Sequence, residues 1–425
     1  MTAIADPNEH VVVTRATPAE KRATTIGIVL ILLAAFTFWV FGLGVQSGLE
    51  STFNLSLPGA RYGDLSWTVD SRTVAFAVAL VLAFLGGMTL RRSHLKWTNL
   101  SLSIGLALFA FSFLTWAAAD GSFSFVGMLT STVVLSVPVT LGALTGLMCE
   151  RVAVINIAIE GQLLTSAFVG TIVGSAAGIW AGLVAAMLTG ALLGLVLAVL
   201  AIKYRIDQII AGVVINIFAL GLTSFLARRV LSEAQDLNSP GRFGAIKIPF
   251  LGDIPVIGPM FFDHNMFVYV TFLLVLALHF GLFYTRWGLR SRSVGEHPKA
   301  ADTVGINVYR TRYRNVVLGG LIAGFGGAFL TLAQVSRFEE NMTAGIGFIG
   351  LAALIFGRWR PLGVLGAGLV FGFARALQQK LGILGTPIPS EFLSMTPYLV
   401  TLIVVAGVVG RARPPAADGQ PYIKD

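Results

Sequence analysis

The chain has 425 residues, of which 55% are hydrophobic and only 12% charged; 30 Lys and Arg against 21 Asp and Glu give a net charge of +9. Soluble domains carry about 25% charged residues, so most of this chain belongs in lipid rather than around an aqueous core. The positive balance lies in short loops between apolar runs, which fits membrane orientation better than nucleic-acid binding, and the single cysteine, Cys149, excludes an internal disulfide.

A helix needs about 20 apolar residues to cross about 30 Å of hydrocarbon. The first apolar run, 25–45, follows Lys21 and Arg22, holds no charge and lacks a small-x-small cleavage site, so it reads as a retained anchor. Further crossings are expected at 73–90, 99–119, 123–148, 152–176, 178–202, 207–229, 266–285, 315–335, 342–357, 362–379 and 396–410. Pro138 and the glycine-rich patches leave broken or re-entrant helices open at 123–148 and 342–357. The expected fold is therefore all-α, a polytopic membrane bundle of about 10–12 helices. The basic clusters at Arg91, Arg92 and Lys96, at Lys203 and Arg205, at 286–314, at Arg358 and Arg360, and at Arg411 and Arg413 then share one side. Assigning that side to the cytoplasm places both termini there. Residues 1–120 hold three nearly motif-free spans, 121–412 an interrupted, glycine-rich core, and 413–425 a polar tail.

Polar residues stand out inside the core. Asn156 and Glu160, four apart in ERVAVINIAIEGQLL, are expected on one helix face. A carboxyl in a span faces the bundle interior, a partner or a water-filled cavity. Glu160 therefore reads either as a solute-path or gating group, or as a buried carboxyl bonded to a neighbouring helix. Asn216 and Thr223, seven apart, share a face near Gln208; amides and hydroxyls suit a neutral hydroxyl-rich solute and equally serve interhelical hydrogen bonds. Gly320, Gly324 and Gly327, like Gly368 and Gly372, read as packing stripes, with a sliding gate as the lesser alternative. His279 reads as structural, and Trp287 and Trp359 as interfacial belt residues. The chain has no G-x-x-x-x-G-K-[ST] loop, no H-E-x-x-H and no Cys/His cluster, so neither nucleotide hydrolysis of that type nor a metal site is expected.

Three blocks carry a family resemblance. GALTGLMCERVAVINIAIEG, 142–161, is similar to E-R-x-G-V-x-N-I-G-x-E-G. RSVGEHPKAADTVGINVYR, 292–310, is similar to R-A-V-G-E-N-P-x-A-A-x-x-x-G-I, and FEENMTAGIGFIGLAALIFGRWRPLG, 338–363, to E-N-M-T-x-G-R-G-[FY]-I-A-L-A. In this order, across roughly 290 residues, they resemble the permease subunits of bacterial ABC importers in the branched-chain amino acid and simple-sugar branch, the nucleoside-type permeases in particular. Departures are Val152-Ala153 for Ser-Gly, Ala158 for Gly, Gln162 for an apolar residue, Ile346 for Arg and Gly350 for Ala.

The resemblance implies a solute pathway around Asn156, Glu160, Glu340, Asn341 and Thr343, near which the departure at Gln162 adds an amide, and to which the residue reading adds Asn216 and Thr223. It also implies a cytoplasmic coupling element within 286–314, carried by Arg292, Val294, Gly295, Glu296, Pro298, Ala301, Gly305 and Ile306. The implied partners are an ABC ATPase subunit, a second related permease or another copy of this chain, and an extracellular or lipid-anchored solute-binding protein, all at the lipid of a bacterial plasma membrane and without nucleic acid. No cofactor is expected on this chain, ATP being used by the ATPase subunit. A stand-alone secondary transporter with Glu160 as its coupling carboxylate is the competing reading; the long basic loop is what such a carrier has no use for.

Overall fold

The computed structural model describes residues 17–57, 63–91, 95–384, 389–395 and 413–424. The crossing expected at 396–410 lies outside them. The chain divides into two compact units, the first ending at Phe125 and the second beginning at Val126. Among the described residues nine helices are long and apolar enough to cross a membrane.

The first unit is three helices and a small sheet. Helix α1 (Pro18–Phe36) opens on a capping box, in which Thr17 Oγ1 accepts from Glu20 N and Glu20 Oε2 from Thr17 N, satisfying donors that the first turn leaves free. It packs Ile26, Leu30 and Ala34 against Val78 and Leu82 of α2 (Ser71–Arg91); α3 (Leu95–Ala117) completes the bundle. Strand β1 (Glu50–Asn54) pairs antiparallel with β2 (Ser66–Asp70) and parallel with β3 (Gly121–Ser124). Phe53 faces Trp67 in one register and Phe123 in the other. These strands were not expected from the sequence.

In the second unit α4 (Phe125–Glu150), with 94% of its apolar window buried, runs unbroken through Pro138. Next come α5 (Ile159–Ala177), α6 (Ile179–Ala198) and α7 (Gln208–Leu226). A connection with strands β4 (Ala245–Lys247) and β5 (Asp263–Asn265) and the short α8 (Ile257–Phe261) leads to α9 (Met266–Tyr284). Two short helices, α10 (Arg286–Glu296) and α11 (Pro298–Thr303), join α9 to α12 (Val308–Phe329). Helix α13 (Ile346–Phe356) has only 11 residues; α14 (Pro361–Ile383) and α15 (Ser390–Ser394) follow.

Glycine determines how closely the central helices approach. A Cβ on Gly320 would overlap the Gly190 carbonyl, one on Gly324 the Ala186 carbonyl, and one on Gly327 the Leu163 carbonyl. The stripe thus holds α12 against α6 and α5 at backbone contact, the small-residue packing of membrane bundles. Gly368 and Gly372 do the same between α14 and Thr140 and Thr132 of α4. Gly320→Leu should wedge the α6–α12 seam apart and cost about 1–3 kcal/mol, seen as a lower aggregation temperature of the purified protein in detergent.

Candidate functional site

The span expected at 152–176 is the main correction. Its first seven residues are not helical: α4 ends at Glu150, Ala153 turns the backbone to φ 61°, and α5 begins only at Ile159. Asn156 and Glu160 therefore do not share a helix face. Unpaired backbone at this depth must be satisfied by protein, and α7 supplies the partners. Gln208 Oε1 accepts from Ile155 N at 2.7 Å; Asn216 Nδ2 donates to Ile157 O at 2.8 Å and its Oδ1 accepts from Gly161 N at 2.8 Å. Asn216 thus braces the broken segment with both ends of its amide. Thr223 lies one stripe further along α7, buried, its hydroxyl donating to Ala219 O of its own helix.

The second break precedes α13. Between Val335 and Ile346 the chain folds through left-handed positions at Ser336, Asn341, Ala344 and Gly345. Glu160 meets it there. Its two carboxylate oxygens accept from Gly345 N at 2.8 Å and Gly347 N at 2.6 Å, so a first-turn residue of α5 caps the start of α13. Anionic oxygen at two helix N-termini is favoured by their dipoles, and the bonds are charge-assisted. Gly347 is required for this approach, since a Cβ there would lie 2.7 Å from Glu160 Cα.

Around this junction polar groups are buried in a core of apolar side chains. Asn156, fully buried, donates from Nδ2 to Gln162 Oε1 at 3.1 Å and to Cys149 Sγ at 3.5 Å. Among the described residues Asn156 Oδ1, Gln162 Nε2 and the buried Thr343 Oγ1 have no hydrogen-bond partner. Asn156 and Gln162 thus carry open hydrogen-bonding capacity at the first break and Thr343 at the second. Glu340 stands apart from these buried groups, exposed and ion-paired with Arg228; Asn341 serves the left-handed turn.

The connection between α9 and α12 forms a second site. Thr285, His297 and Asn307 cap α10, α11 and α12 in turn, accepting from Gly288 N, Ala300 N and Arg310 N, and Gly305 supplies a turn at φ 84°. Val294, Gly295 and Ala301 are buried, and a Cβ on Gly295 would overlap the Arg151 carbonyl. Arg292 lies over the Phe283 ring, 5.1 Å from its centroid, and Ile306 packs inward. Glu296 and Gly305 are exposed and Pro298 half-buried. Among the large apolar residues of this connection the most exposed is Val304, at 75%. Sequence reading passed over it because a lone valine in a polar loop carries no motif. Trp359 is not a belt residue either: it is buried, its indole N–H donating to Glu150 and its carbonyl accepting from Arg151.

The tail is folded onto this connection. Ala417 N donates to Gly295 O at 3.0 Å, Ala416 N to Glu296 Oε2 at 3.1 Å, and Arg312 Nη1 to Gln420 O at 3.2 Å; the buried Tyr422 ring lies 5.3 Å from that of Tyr309. Burial pushes the Asp418 carboxyl up from its ordinary 3.8 to about 6, opposed by its hydrogen bonds with the Glu150 side chain and the Gly419 backbone and by the Arg312 charge. Because the folded tail favours the neutral acid, its docking is strongest below about pH 4 and weakens as pH rises through about 6. Hydrogen exchange at 414–424, corrected for intrinsic rate, should accelerate across that window in the native chain, and Asp418→Asn should flatten the change.

Comparison with known proteins adds the following. Residues 128–407 match the family described as branched-chain amino acid transport system / permease component. The chain is 44% identical over 311 residues to the guanosine ABC transporter permease protein NupQ of Bacillus subtilis (strain 168), covering 69% of this chain and 95% of that one. It is 37% identical over 309 residues to the nucleoside ABC transporter permease protein NupC of Lactococcus lactis subsp. cremoris (strain MG1363), covering 70% and 96%. No solved structure matches it.

Proposed function

The chain belongs to the branched-chain amino acid transport system permease-component family, and from that premise we propose that it forms half of a nucleoside import pathway driven by a separate ATPase. The observation that carries the substrate is the 44% identity, across nearly the whole of the relative, to a permease named for guanosine. A nucleoside asks for donors and acceptors toward its sugar hydroxyls and base edges and for apolar walls around the base. Asn156 and Gln162 at the first break and Thr343 at the second offer buried polar atoms without partners among the described residues, which supports that use. Asn216 and Glu160 support the pathway indirectly, by holding the backbone breaks that create it.

In this reading 121–412, which includes the family match at 128–407, is the permease core and the three preceding spans are an appended extension. The connection 286–308 seats the ATPase, with Val304 as its projecting anchor, and both termini face the cytoplasm. The other half of the pathway is a related permease or a second copy, and an extracellular binding protein delivers the solute at the plasma membrane. Closure of the ATPase dimer moves α10 and α11, and the glycine-packed helices carry that motion as rigid bodies. The chain itself binds no cofactor and catalyses no bond change.

Uptake of labelled guanosine, ribose and leucine, in host cells with and without this gene, tests the reading. Loss of guanosine uptake alone, restored by the intact gene, is expected. Loss of ribose or leucine uptake instead would keep a permease and overturn the substrate.

A further inference from the structure

Where α9 turns into α10, two cavities share one residue. The first, about 420 Å³, lies between α10 and the start of α12 and is lined by Arg290, Arg310, Arg314, Asn307 and Trp287. The second, about 310 Å³, is wholly apolar; α9 contributes Val270, Leu274 and Leu278 and α12 contributes Leu318, Ile322 and Phe325, with Trp287 at its end. Thr311, Leu318 and Phe325 lie seven apart on α12, so basic pocket and apolar groove follow one helix face over about 21 Å.

Three exposed arginines converge on the first cavity, and among the described residues none of them has a carboxylate in ion-pair range. Three uncompensated guanidinium groups around a pocket are a site for phosphate, whose oxygens they can bind as a fork. The Trp287 ring lines both cavities and so marks the boundary between the charged pocket and the apolar groove. The groove beyond it offers no polar group, so it suits a hydrocarbon chain.

Charge at one end, an apolar slot at the other and an indole between them match a single class of molecule. We propose that α9, α10 and α12 form a specific site for an anionic phospholipid, its phosphate held by Arg290, Arg310 and Arg314 and one acyl chain laid in the groove between α9 and α12. Basic charge that only orients a protein in the membrane needs no pocket, whereas basic pockets between spans hold anionic headgroups. This assignment does not depend on what the permease transports.

The test is native mass spectrometry of the full chain in detergent with added phosphatidylglycerol or phosphatidylcholine. Phosphatidylglycerol should bind about 10- to 100-fold more tightly, each arginine near the surface contributing about fivefold. The triple variant R290Q/R310Q/R314Q should lose that preference, Arg310→Gln alone should lower it by about fivefold, and Leu318→Trp, which fills the groove, should weaken both lipids. Soluble glycerol phosphate at millimolar concentration should displace neither. Equal binding of the two lipids, or a preference kept by Arg310→Gln and the triple variant, would overturn the proposal. So would displacement by glycerol phosphate, which would make this a soluble-phosphate site. Loss of ATPase binding in the triple variant with lipid preference unchanged would assign the arginines to the ATPase and overturn it too.

Discussion

Glu160→Ala should abolish uptake and destabilise the protein more than any other single polar truncation in the second unit. Its carboxylate is the acceptor for two backbone donors, the half-buried Gly345 N and the buried Gly347 N, 185 and 187 residues away in sequence. A buried donor left unpaired costs about 1–3 kcal/mol and a half-buried one less, so a loss of about 2–4 kcal/mol is expected, with α13 no longer anchored to the start of α5. Uptake should fall at least tenfold, on the order of what 1.4 kcal/mol alone would give. Glu160→Gln keeps one acceptor oxygen but turns an amide nitrogen toward the other donor, so an intermediate loss is expected. Uptake by Glu160→Gln across a range of pH separates the competing reading: a scaffold role lowers uptake equally at every pH, whereas a proton-coupling carboxylate would abolish a pH-dependent component. Unchanged stability and uptake in Glu160→Ala would sink the assignment of Glu160 as the brace.

Val304→Asp should break association with the ATPase while leaving the permease intact. The side chain is 75% exposed on the turn after α11 and touches none of the buried cluster beneath it. Burying a valine side chain against a partner contributes about 2 kcal/mol, roughly 30-fold in affinity; a charge placed there should cost more. Pull-down of the ATPase by purified variants measures this directly. Gly295→Trp would be a poor substitute, because Gly295 packs against the Arg151 carbonyl and a large side chain there would disrupt the permease before any partner was tested. If Val304→Asp retained the ATPase at native affinity, the docking surface would lie elsewhere.

Much of this architecture was legible in the sequence because lipid imposes length and apolarity on any crossing helix. Among the described residues all nine long helices start within seven residues of the start of an expected span, and the helical glycine stripes mark the seams where backbones meet. The break at 152–158 was hidden for the same reason. VAVINIA is as apolar as the helix it precedes, and hydropathy does not distinguish a helix from extended chain buried in protein. The readable signal was on another helix: Gln208 and Asn216 are amides spaced to serve an unpaired backbone, and their partners become visible only in three dimensions. Glu160 was legible as an interior carboxyl, but its role as a cap depends on two glycines nearly 190 residues later. The three-stranded sheet of the first unit and the docked tail have no periodicity to betray them, each resting on a few specific contacts.

The fold of the tail has a consequence for the timing of assembly. Residues 286–308 and their cover at 413–424 are separated by roughly 100 residues, which take about 5–20 s to synthesise at 5–20 residues per second. During that interval Tyr309 and Arg312 stand without Tyr422 and Gln420. On the docking proposed for 286–308, an ATPase that arrived in this window would meet an unfinished seat. Late closure by the tail would then act as a maturation step, completing that face only after the spans before it have been made.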